Sequence, residues 1–128
     1  MMKKKSLLAI ALTSLFVFGI VYTSFAQNVN MPKTIIHHVT LKWKADASEA
    51  DKTKVMADLK AILADTKGVK SVWMKSTKVQ PQEFSQTFVV EFENQAALDA
   101  YAKHPKKEAW AKLYYEIRET SYNSVTTN

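Results

Sequence analysis

The chain has 128 residues, no cysteine, 18 basic and 12 acidic side chains, and a formal charge of +6. The lack of cysteine excludes disulfides, thiolate metal ligands and a cysteine nucleophile. Three lysines fall within the first five residues and every acid lies beyond position 26, so residues 27–128 carry 15 − 12 = +3. Their lysines alternate with Asp and Glu, which describes a solvated surface, and no nucleic-acid recognition motif accompanies them.

Lys3, Lys4 and Lys5 precede an apolar run from Leu7 to Val21, and Ser24-Phe25-Ala26 places small residues at the −3 and −1 positions before Gln27. This is the pattern of a secretory signal peptide over 1–26. The apolar run is short for a span, which needs about 20 residues. The expectation is a periplasmic or secreted chain with no membrane attachment after cleavage. Residues 27–33 read as a flexible leader, and 34–128 as one small domain with a single core.

Along that domain, Ile35, His37, Val39, Leu41 and Trp43 alternate with Ile36, His38, Thr40, Lys42 and Lys44, as on a strand with one apolar face. Ser48 opens a helix over about 48–66, with Asp51 three residues on and Glu49 suited to the N-terminal dipole. Val55, Met56, Leu59, Ile62 and Leu63 form its inward stripe. Gly68, the one glycine beyond residue 26, stands where a left-handed C-terminal residue is wanted. Val69–Val79 reads as a second strand, with Val72 and Met74 opposing Val69 and Trp73, ended by Gln80-Pro81-Gln82. Ser85–Glu93 reads as a third, with Phe88, Val90 and Phe92 on one face; a short link between the two implies an antiparallel pair. Asn94 caps a helix carrying Ala97, Leu98 and Tyr101 inward. Pro105 ends it, Lys106–Ile117 forms a further helix, and Arg118–Thr126 a polar edge strand.

The order β-α-β-β-α-β, with an extra helix before the last strand, predicts an α+β, ferredoxin-like fold: a four-stranded antiparallel sheet with its helices on one face. The uncovered face would carry Ile36 and Val89, and pairing two such faces about a two-fold axis would hide it.

His37-His38-Val39-Thr40-Leu41-Lys42-Trp43-Lys44, followed by Val90-Glu91-Phe92-Glu93 and the corner Tyr101-Ala102-Lys103-His104-Pro105, resembles the stress-responsive dimeric α/β-barrel (Dabb) family across nearly all of residues 34–128. The resemblance implies a homodimer joined through the sheets, a dimeric α/β barrel. In a polyketide cyclase of that family the pocket uses a first-strand histidine, the corner tyrosine and a second histidine after the His-Pro pair. These positions correspond here to His37, Tyr101 and Lys107. A lysine at its ordinary pKa is a poor general base at neutral pH unless strongly desolvated.

The candidate catalytic residues are therefore His37 and Tyr101, a pair able to orient a carbonyl or phenol and move one proton. Leu41, Trp73, Phe88, Lys107 and Trp110 are the expected pocket residues around a small apolar or aromatic ligand. The alternative is that these side chains simply fill a core, leaving a non-catalytic interaction module; a cofactor-free cyclase or isomerase is the third reading. His37 and His38 face opposite ways and no carboxylate set accompanies them, so no metal site is expected. One glycine cannot build a phosphate-cradling or dinucleotide loop, and no Gly-x-Ser-x-Gly occurs, so no cofactor is expected. His104 reads as a structural corner.

Overall fold

The computed structural model describes residues 28–128, and the expected signal peptide (1–26) lies outside them. Residues 28–34 carry no regular secondary structure. The elements that follow are β1 (Ile35–Trp43), α1 (Glu49–Ala64), β2 (Val69–Trp73), β3 (Gln86–Phe92), α2 (Gln95–Ala102), α3 (Lys107–Ile117) and β4 (Arg118–Thr126). The four strands form one antiparallel sheet in the order β2-β3-β1-β4. The ferredoxin-like expectation holds, with β4 at an edge as read from the sequence.

The caps form where the sequence places them. The Asp51 amide donates to Ser48 Oγ at 3.1 Å, and the Ala97 amide donates to Asn94 Oδ1 at 3.0 Å. Gly68 has φ +88 after α1, a conformation that costs any residue with a Cβ about 1–2 kcal/mol. Its carbonyl accepts the Glu93 amide at 2.7 Å, tying the turn to the end of β3.

The core lies between the sheet and the helices. Val39, Leu41, Phe88, Val90 and Phe92 from the strands meet Val55, Leu59, Ile62 and Leu63 of α1 and Tyr101, Trp110, Tyr114 and Ile117 of α2 and α3. Trp110 Nε1 donates to the Val55 carbonyl at 2.9 Å, locking α3 onto α1. That bond satisfies the one polar atom an indole brings into a core.

The structure departs from expectation at β2. The strand ends at Trp73 rather than Val79, and the link to β3 is a long segment rather than a short one. A register shift between Val69 and Ser71 also breaks the alternation. Val69 pairs with Phe92 and Val72 with Val90, so both valines face the helices, while Trp73 pairs with Val89 and faces outward. An extra residue in one strand of a pair does this, because side-chain direction has a period of two. Trp73 is consequently 51% exposed on the outer sheet face. It is not a wall of a pocket beside His37.

That outer face is not bare. Residues Lys75–Gln80 border it beside His38, Thr40 and Thr87, forming a polar cleft of about 430 Å³. Phe84 is buried with its ring 5.2 Å from that of Tyr122.

Candidate functional site

His37 lies on the helix side of β1, paired with Val90 on β3 and Val125 on β4. Its ring meets Phe88 edge-on at 6.2 Å and Tyr101 at 6.2 Å between centroids. Nδ1 is buried and has no hydrogen-bond partner among the described residues. A buried polar atom of this kind is uncommon and calls for an explanation. Burial lowers the imidazole below its ordinary 6.5, the Lys107 charge and then that of His38 lower it further, and the polar Asn123 side chain nearby opposes them. The ring is therefore neutral at pH 7, with one nitrogen available as an acceptor.

Tyr101 is delivered by the last turn of α2. It is buried, packed against Phe92 at 5.4 Å, and burial raises its phenol well above the ordinary 10. Its hydroxyl stays protonated across the physiological range and can donate.

Lys107 is the first residue of α3 and half-buried. Its Nζ donates to the Tyr101 hydroxyl, lies 3.7 Å from the centre of the Tyr101 ring and 4.2 Å from that of Trp110. Burial lowers the amine from 10.5 to about 8. The desolvation that a basic role at this position requires is thus present. Charged, the ammonium rests against two aromatic faces; neutral, it can accept from the Tyr101 phenol.

The corner between α2 and α3 sets where Lys107 starts. His104 is 8% exposed at its side chain; its Nδ1 accepts the Lys106 amide at 3.1 Å and its Nε2 donates to Asp65 Oδ2 at 2.8 Å. The amide contact assigns the tautomer, with the proton on Nε2. Asp65 is the C-cap residue of α1, so this histidine clasps the end of α1 to the start of α3. The structural reading of His104 stands.

The structure brings together His37, Phe88, Tyr101, Lys107 and Trp110. Leu41 faces the same side but lies four residues along β1, about 13 Å from His37, and is wholly buried in the core; it does not border the cluster. Asn123, which the sequence reading missed, pairs with Val39 and stands on the same face as His37. Asn123 and Val125 are exposed, the latter by 57%, so the cluster is bordered by accessible surface along β4. An apolar cleft of about 420 Å³ lies between α1 and α3, lined by Val55, Ile62, Pro105 and Trp110 among others. His37 and Tyr101 do not line it.

No curated protein matches the chain. Among solved structures, a dimeric protein of unknown function and ferredoxin-like fold from Bacteroides fragilis is 19% identical, with a TM-score of 0.61, covering 77% of this chain and 100% of that one. A Dabb family protein with a ferredoxin-like fold from Mesorhizobium loti is 22% identical, with a TM-score of 0.63 and coverage of 74% and 96%. SnoaB, a cofactor-independent oxygenase from Streptomyces nogalater, is 16% identical, with a TM-score of 0.56 and coverage of 74% and 90%. These likenesses concern the fold. The model of the stress responsive A/B barrel domain matches residues 35–123, from the strand that carries His37 through the strand that carries Asn123. Sheet order, corner motif and family match agree, and the chain belongs to the stress responsive A/B barrel (Dabb) family.

Proposed function

We propose that this Dabb chain is exported, works as a homodimer joined through the outer sheet faces, and binds a small aromatic or apolar molecule beside His37 and Tyr101. The observation that carries the binding reading is the buried, unpartnered His37 Nδ1 at the centre of an aromatic cluster that also holds a desolvated amine. A ligand hydroxyl would satisfy that nitrogen, while the Tyr101 phenol and the Lys107 amine supply one donor and one base. Any chemistry of this set is proton transfer without a cofactor, a cyclisation or an isomerisation. The cofactor-independent oxygenase that shares the fold supports this by analogy alone.

The dimer reading rests on exposed Trp73 and Tyr122 on the outer face and on relatives described as dimeric. Export rests on the basic and apolar pattern of residues 1–26; a reporter active only outside the cytoplasm, fused after residue 30, should be switched on.

A thermal-shift screen of phenolic and polyketide-like compounds tests the binding reading. A ligand at about one hundred times its Kd should stabilise the chain by about 2.7 kcal/mol, and His37→Ala should lose that response while remaining dimeric. If no compound raises the melting temperature, or the variant responds as the parent does, the reading is wrong. The second reading, a filled-core interaction module, is favoured by the near-complete burial of Leu41 and Phe88 and predicts no response to any compound.

A further inference from the structure

We propose that Lys107 is a carbonyl-capturing amine, condensing with the aldehyde of a small aromatic ligand held beside His37 and Tyr101 to form an imine. This rests on the binding reading above and goes further, naming the ligand's reactive group and the atom that takes it.

The geometry is that of a nucleophile. Nζ lies between the Tyr101 and Trp110 rings, and among the described residues no carboxylate pairs with it. Desolvation alone accounts for its lowered basicity. Among the described residues Lys42 is held by Glu119, Lys52 by Glu49 and Lys54 by Asp58; what sets Lys107 apart is burial against two aromatic rings with no acid beside it. At pH 7 roughly a tenth of Lys107 amines are unprotonated, against roughly 0.03% for an ordinary lysine. Desolvation in an apolar pocket is a general way to arm a Schiff-base lysine. Lys107 is half-buried rather than sealed, so its amine is open to a small planar molecule.

The neighbours supply the proton steps. The amine lone pair forms the C–N bond as the carbonyl π pair moves to oxygen, which takes the proton that the Tyr101 phenol can relay. The new ammonium sheds a proton, for which the neutral His37 ring is an acceptor. The carbinolamine hydroxyl is then protonated by the imidazolium so formed and leaves as water while the nitrogen lone pair closes the C=N bond, and the resulting iminium returns its proton to the Tyr101 oxygen. One aldehyde and one amine yield one imine and one water, with no redox step.

The test uses the purified full chain with 4-hydroxybenzaldehyde and sodium cyanoborohydride at pH 7, followed by peptide mapping, with 4-methylphenol as the non-carbonyl control. Reductive labelling should fall on Lys107 at least tenfold above any other lysine, and Lys107→Arg should abolish the preference. Because the site is read in the parent protein, the result does not depend on the variant folding. Labelling spread evenly over the lysines, with 4-methylphenol still raising the melting temperature, overturns carbonyl capture and leaves the binding reading intact. Even labelling with no thermal response to either compound overturns both.

Discussion

Replacing Lys107 by methionine should stabilise the protein, and the gain should depend on pH in a stated direction. The folded chain holds an amine at about 8 whose ordinary value is 10.5. That gap corresponds to roughly 3 kcal/mol of cost for carrying the ammonium in the folded state. Contact with the Tyr101 and Trp110 rings and the bond to the Tyr101 hydroxyl together offset about 1 kcal/mol of any gain from removing it. The net expectation is a stabilisation of about 2 kcal/mol at pH 6, or roughly 8–16 °C in Tm for a domain of this size. Between pH 8 and 10.5 the unfolded chain binds more protons at this position than the folded one, so parental stability rises with pH through that window. The advantage of the variant should therefore shrink steadily from pH 8 and be nearly gone by 10.5. Urea unfolding of both proteins at matched concentration, at pH 6, 8 and 10, measures it. A variant less stable than the parent at pH 6, or a gap that does not change with pH, would refute the claim that Lys107 is held desolvated. A residue kept at such a cost is the usual sign of a working site.

The remaining expectations are structural and electrostatic. Gly68→Ala should destabilise by at least about 2 kcal/mol in thermal unfolding, since its Cβ would sit 2.5 Å from that of Ala97 at a positive φ; an unchanged Tm contradicts the turn geometry. Trp73→Glu should leave the secondary structure intact while shifting sedimentation equilibrium toward monomer, and an unaltered dimer would place the interface elsewhere. The His37 ring, followed by NMR, should titrate below 6.5 and rise toward it in Lys107→Met, because the lysine charge is, after burial, the largest cause that depresses it; a midpoint above 6.5 would be the wrong sign.

Much of the fold was legible because local signals agreed with one another. The alternation of β1, the Ser48 and Asn94 caps and the Gly68 stop each correspond to a backbone conformation that the structure adopts. The site was legible in part. His37 and Tyr101 point into one cluster because strand and helix periodicities say which face each occupies. Lys107 looked unpromising as a base because a lysine at its ordinary pKa is protonated at pH 7; only its place against the Tyr101 and Trp110 rings reveals its desolvation. Asn123 was invisible, since a strand with weak alternation has no readable register until its partner is known. Leu41 was placed on the correct face and the wrong end, a distance along β1 that face alone cannot convey.

The irregularity at Val69 and Ser71 governs more than one side chain. It sets the parity of the last residues of β2, and parity is what assigns a strand residue to the interior or to the outside. Loss of one amino acid there would exchange the two without changing hydrophobic content: Val72 would turn outward and an indole would press toward Leu63 and Ala64 of α1, where a valine now fits. Single-residue insertions or deletions in this short strand are thus far more disruptive than most substitutions in it, and chains of this family that differ in length here will differ in what they present to a neighbour.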